Sequence, residues 1–161
     1  MSIAVGEKLP EATFRVMTAD GPAEKTVADV FGGKKVAAFA VPGAYTPTCH
    51  AKHVPGFLDN LDALKARGVD DVVCISVNDP FVMGKWAGDT GAEGKITFLS
   101  DGNGDFTHAV GLELDGSAVG LGKRSKRYAL VAEDGVVKVL NIEDVPSTAD
   151  ASSAESLLKS L

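Results

Sequence analysis

The stretch Val41-Pro42-Gly43-Ala44-Tyr45-Thr46-Pro47-Thr48-Cys49-His50 follows the apolar run Lys34 to Val41 and sets a lone thiol where a strand gives way to a helix. Pro42 and Pro47 stop a helix from forming before Thr48, so Cys49 falls in the first turn of the next helix. Unpaired backbone N–H groups and the positive end of the helix dipole at such a place favour a thiolate over a thiol. The alternative is a small core cysteine, the commonest fate of that residue. Two prolines, a glycine and two threonines make a poor packed core and a good reactive loop.

On either side the chain alternates strand and helix. Upstream, Thr13 to Met17 runs into the turn Ala19-Asp20-Gly21-Pro22, and Thr26 caps a short helix Val27 to Phe31 that Gly32-Gly33 end. Downstream, Val54, Phe57, Leu58, Leu61 and Leu64 recur at helical spacing up to Gly68, with a kink or break expected at Pro55-Gly56. Asp71 to Val77 is the near-continuous apolar run of a strand covered on both faces. Asn78-Asp79-Pro80 opens a helix that Gly88 and Gly91 close, and Ile96 to Leu99 is a third strand. Asn103-Gly104-Asp105 leads into a brief helix, and Leu112 to Gly122 reads as a loop. Tyr128 to Ala132 and Val136 to Ile142 form a hairpin about Asp134-Gly135, and Ser152 to Leu161 is a short amphipathic helix. This order predicts an α/β fold over residues 1–161, with a mixed central sheet, helices on both faces and the reactive loop at the C-terminal end of a central strand.

Composition narrows the chemistry. The 161 residues, 45% hydrophobic and 24% charged, are enough for one domain with a sizeable core. A formal charge of −6 argues against nucleic acid or an anionic membrane surface as the main partner. No apolar run reaches the roughly 20 residues of a spanning helix, and the N-terminus lacks the pattern of a secretory signal. Two cysteines, Cys49 and Cys74, are too few for a disulfide framework and fit a reducing, cytosolic setting.

A thiolate nucleophile needs a fixed cation and groups that orient what it attacks. Arg127, at the start of a hairpin strand, can be aimed at Cys49, whereas Arg124 is expected to stay in the loop as a solvated charge. Thr46, three residues before Cys49, can point its hydroxyl into the same pocket, although it could equally be a plain turn threonine. Cys49, His50 and His53 also suggest a metal, but zinc sites want three or four ligands in paired spacings and no second pair exists. A cysteine-histidine hydrolase is a further alternative, weakened because the histidines lie on the same helix as the thiol. Cys74, among Val72, Val73, Ile75 and Val77, reads as a buried structural thiol, and Trp86 and Phe81 as core or interface residues.

Pro42-x-x-x-Thr46-x-x-Cys49 resembles the peroxidatic motif of the peroxiredoxins. His53-Val54-Pro55-Gly56-Phe57, Ser76-Val77-Asn78-Asp79-Pro80-Phe81-Val82 and Lys126-Arg127-Tyr128 are similar to the peroxiredoxin-5 subfamily of the redoxin group. The resemblance implies a thioredoxin-like fold with an N-terminal extension and reduction of hydrogen peroxide and alkyl hydroperoxides without metal, haem or other cofactor. It implies Cys49 as the peroxidatic thiolate, Thr46 as the hydroxyl that holds the peroxide, Arg127 as the guanidinium and Pro42 as the shield over the pocket. Glutathione, with or without glutaredoxin, is the reductant implied, with thioredoxin as runner-up. A homodimer through the face near the site, helped by Trp86 or Phe81, is implied as well. Two departures stand out: Ser147 to Ser152 holds no resolving cysteine, and Thr48 replaces a glycine common in relatives, which should tighten the loop. The competing function is a non-catalytic peroxide sensor, or a chaperone-like redox module, using the same cysteine.

Overall fold

The computed structural model describes residues 2–145 and 147–161. Its strands are β1 (Thr13–Thr18), β2 (Gly21–Thr26), β3 (Lys35–Val41), β4 (Asp71–Ser76), β5 (Thr97–Ser100), β6 (Glu113–Asp115), β7 (Lys123–Ser125), β8 (Tyr128–Glu133) and β9 (Val136–Ile142). Seven of them form one sheet in the order β2-β1-β5-β4-β3-β8-β9. β3, β4 and β5 are parallel, while β8 joins β3 antiparallel, so the sheet is mixed. The helices are α1 (Val27–Phe31), α2 (Val54–Asp59), α3 (Leu61–Ala66), α4 (Pro80–Thr90), α5 (Asp105–Ala109) and α6 (Ala154–Ser160). Among the described residues, no helix is long and apolar enough to cross a membrane.

The period of two in β3 divides the core. Val36, Ala38 and Ala40 face one layer with Phe14, Phe31, Ile75 and Phe106. Ala37, Phe39 and Val41 face the other, with Phe57, Leu64, Cys74, Trp86 and Leu157. Both faces are therefore covered, which is why β3 and β4 read as continuous apolar runs. The β8–β9 turn has Asp134 at φ 48° and Gly135 at φ 78°, the left-handed pair of a two-residue hairpin loop.

Local chemistry explains where the elements stop. Thr26 and Asp29 cap α1 reciprocally, each side chain accepting the other's backbone N–H. Asp79 accepts from Val82 N at the head of α4, and Gly91, at φ 73°, caps its end. Gly88 does not end α4, since a single glycine weakens a helix without breaking it.

Two expectations need adjusting. At Pro55-Gly56 the helix changes form without stopping: the π-helical turn Cys49–His53 runs directly into α2, with Pro55 in the first α-helical turn after it. It breaks at Asn60, whose side-chain amide donates to Gly56 O at 2.7 Å and competes with the main-chain bond. Leu112 to Gly122 is not wholly loop either. β6 pairs with β7 in a small second sheet around a 3₁₀ turn, Ser117–Val119. Strands of three mostly polar residues leave no apolar period to read.

Candidate active site

β3 ends at Val41 in the middle of the sheet, and the chain turns over its edge through Gly43 to Thr46. Tyr45 takes φ 64°, an unusual value for a bulky residue, at a point where Thr46 N bonds back to Gly43 O. Three contacts hold it there. Its hydroxyl donates to Asp89 Oδ2 at 2.6 Å, and its ring lies 5.8 Å from His50 and 6.2 Å from Trp86. That hydrogen bond pushes the phenol up to about 12. Asn78, beyond β4, fixes the other side of the loop by accepting from Ala44 N at 2.9 Å and from Ser76 Oγ at 2.5 Å.

A helical turn opens at Pro47, and Cys49–His53 forms a π-turn in which Val54 N reaches Cys49 O. Cys49 is fully buried. Two side chains meet its sulfur: Thr46 Oγ1 at 2.7 Å and Arg127 Nη2 at 2.9 Å. The same threonine hydroxyl lies 2.7 Å from Gly43 O, so it can turn between the sulfur and the main chain. Arg127, just before β8, is only 2% exposed and places a permanent positive charge beside the sulfur. Pro42 is buried at the start of the loop.

Behind Arg127 lies a polar assembly. Its Nη1 donates to His53 Nδ1 at 3.0 Å, and His53 Nε2 is 2.9 Å from Ser152 O. Burial, aided by the Arg127 charge, pushes the His53 imidazole down to about 4, against the pull of Ser152 O and Glu143. Glu143 accepts from Ser152 N at 2.8 Å, Thr148 Oγ1 at 2.9 Å and Ser152 Oγ at 3.1 Å. Burial alone would raise the Glu143 carboxyl, but these donors hold it below the usual carboxylate range. Thr48 Oγ1 donates to Ser147 O at 2.9 Å and so ties the loop to the C-terminal segment.

The geometry brings Cys49, Thr46 and Arg127 together, with Pro42 at the head of the same loop. It corrects Arg124. That residue is on β7, half-buried, with Nη1 donating to Pro42 O at 3.3 Å and Nε to Leu121 O at 2.9 Å, so it is no solvated loop charge. Trp86 is fully buried, donates from Nε1 to His50 Nδ1 at 3.0 Å and packs 5.0 Å from Phe98, so it cannot form a surface contact. Phe81 is 66% exposed. His50 and His53 are turned to different partners, Trp86 and Arg127. Cys74 is buried opposite Phe39 on β3, and burial pushes its thiol well above the ordinary value. Sequence reasoning missed the parts played by His53, Glu143 and Asn78. Asn78 reads only as a helix-start signal, and a lone acid after a strand, such as Glu143, has no distinguishing pattern.

A buried sulfur with a hydroxyl and a guanidinium aimed at it can act as a nucleophile while charge moves onto an oxygen held by the same donors. Comparison with known proteins agrees with that chemistry. The Redoxin family matches residues 4–158. Over 99% of its length the chain is 51% identical to the chloroplastic peroxiredoxin-2E of Arabidopsis thaliana, spanning 70% of that protein. The plastid address of that relative lends nothing to the cytosolic setting expected above. Reduced Prx3 of Vibrio vulnificus, solved in complex with hydrogen peroxide, is 46% identical with a TM-score of 0.92 over 98% of both chains. Peroxiredoxin 5 of Alvinella pompejana is 34% identical with a TM-score of 0.86, covering 98% of this chain and 97% of its own.

Proposed function

The chain belongs to the peroxiredoxins of the redoxin family and is a thiol-dependent peroxidase, and on that premise we propose that Cys49 reduces hydrogen peroxide and organic hydroperoxides and is itself restored by glutathione. The observation that carries this reading is the convergence of Thr46 Oγ1 and Arg127 Nη2 on one sulfur. The thiolate attacks the nearer peroxide oxygen in line, the O–O bond breaks, and the leaving oxygen departs as alkoxide or hydroxide to be protonated. Arg127 and the Thr46 hydroxyl stabilise the charge as it passes from sulfur to that oxygen. Pro42 shields the pocket from water.

Cys49 is then a sulfenic acid. Glutathione attacks its sulfur, the S–O bond breaks, water leaves and a mixed disulfide remains; a second thiol, of glutathione or glutaredoxin, releases Cys49. Thioredoxin is the second candidate reductant. The support for an external thiol is the state of Cys74, buried in a strand with its thiol held protonated. A homodimer through the exposed Phe81, at the head of α4, and Tyr45, in the loop, 66% and 44% accessible, belongs to the same reading.

Steady-state peroxide consumption with glutathione, glutathione plus glutaredoxin, and thioredoxin tests it. Many turnovers with the glutathione system are expected. Consumption that stops after one equivalent with every reductant would instead mark a sensor.

A further inference from the structure

Arg124 makes no contact with the sulfur, yet its guanidinium is held in place. Nε donates to Leu121 O at 2.9 Å and Nη1 to Pro42 O at 3.3 Å, both main-chain oxygens. None of the ion pairs among the described residues includes it, so its charge is oriented without being matched by a carboxylate. It stands beside the active-site loop, against Pro42 and Gly43. A Cβ built on Gly43 would lie 2.8 Å from Arg124 Nη1 and 3.2 Å from the Thr46 methyl. The hydroxyl of that threonine is 2.7 Å from Cys49 Sγ. Arg124 therefore borders the loop next to Gly43 and close to Thr46, where residue 43 has no side chain to cover it.

A chain of formal charge −6 repels small anions at long range, and a fixed cation beside the active-site loop counters that locally. The planar guanidinium fork suits a carboxylate, and holding it in advance reduces the ordering cost of binding. We propose that Arg124 determines reductant specificity by binding a carboxylate of an anionic, glutathione-like peptide thiol while that thiol attacks oxidised Cys49. The inference rests on the peroxidase reading above. In glutathione the group concerned is the glycine carboxylate, which has no neighbouring ammonium to offset its charge. The bonds made and broken are those of the sulfenic acid step: S–S forms, S–O breaks, and hydroxide leaves as water with the thiol proton. A carboxylate carried by a hydroperoxide would offer the same chemistry, so the test separates the two sources.

Wild type and Arg124→Gln are oxidised with one equivalent of hydrogen peroxide, and the second-order rate constants of reduction by glutathione and by neutral 2-mercaptoethanol are measured. The glutathione-to-mercaptoethanol ratio is expected to fall about fivefold in the variant, the scale of one partly exposed ion pair. Arg124→Lys should restore part of it. Added salt should lower the wild-type ratio and leave the variant's flat. Glutathione esterified on its glycine carboxylate should meet the wild type as free glutathione meets the variant. Equal slowing of both thiols would reduce Arg124 to a prop for Pro42 and overturn the proposal, as would an unchanged ratio. A loss seen only in oxidation by a carboxylated hydroperoxide would also overturn it. If neither thiol reduces the oxidised wild type while thioredoxin does, the glutathione reading falls and this inference with it.

Discussion

Arg127 donates to His53 Nδ1 at 3.0 Å, and because a guanidinium has no lone pair to offer, that nitrogen must be the acceptor. The imidazole is then the neutral tautomer with its proton on Nε2, donating to Ser152 O at 2.9 Å. A protonated ring would set an N–H against the guanidinium.

Stability should therefore depend on His53. Its value of about 4 in the folded chain lies below the ordinary 6.5, so the unfolded chain binds more protons between the two, and stability falls as pH drops through that window. The contribution is complete above about pH 6.5 and lost by about pH 4, on the order of 3 kcal/mol in all. Glu143, held below its ordinary range, adds a loss in the same direction at lower pH. Urea unfolding at intervals from pH 7.5 to 4 measures this, and a flat profile between pH 6.5 and 5 would contradict the neutral, buried imidazole.

Cys49→Ser should abolish peroxide consumption and leave the circular dichroism spectrum unchanged, since an alcohol near neutral pH supplies almost no anionic nucleophile. Activity above a few per cent of wild type, roughly, would remove Cys49 from the chemistry.

Arg127→Ala should slow the first oxidation step roughly 10²- to 10³-fold, the scale of losing one electrostatic stabiliser. Stopped-flow fluorescence of the neighbouring Trp86 offers a signal for that step. Arg127→Lys should recover only part of the rate, because an ammonium cannot reach both the sulfur and His53 with one rigid fork.

Thr46→Val keeps the branched shape and removes the hydroxyl 2.7 Å from the sulfur. We expect oxidation to slow by about tenfold or more, with Thr46→Ser close to wild type. Equal loss in Val and Ser variants would assign the residue to turn packing alone.

Cys74→Ser should keep near-normal turnover with glutathione. The residue is buried mid-strand with its thiol held protonated, so it is poorly placed to attack the sulfenic acid. Mass spectrometry of peroxide-treated wild type given one equivalent of glutathione should find the mixed disulfide on Cys49. A Cys49–Cys74 bridge formed stoichiometrically during turnover would defeat this.

Much of this arrangement is legible in the sequence because it is local. Cys49 and Thr46 share one turn, Thr26 and Asp79 sit at their caps, and Asp134-Gly135 announces its hairpin. Arg127 can be chosen because it begins a strand of the predicted hairpin, and the structure pairs that strand with β3, which ends at the loop. The hidden part depends on chain segments meeting from afar. Glu143 and Ser152 reach the site only after the sheet is assembled, and Arg124 reads as a solvated loop charge because its anchors are main-chain oxygens, which every sequence supplies. The π-turn leaves no sign either, since it changes which carbonyl is used and not which residues are apolar.

Cys49 and Arg127 are 78 residues apart in sequence, and His53 and Ser152 are 99 apart. A ribosome therefore releases the thiol well before the guanidinium, and the guanidinium before the segment that steadies it. Until those segments are added, Cys49 lacks the guanidinium that meets its sulfur in the folded chain. The geometry of the site therefore cannot precede the fold, since its parts are joined only when β8 and the segment around Ser152 have come into place.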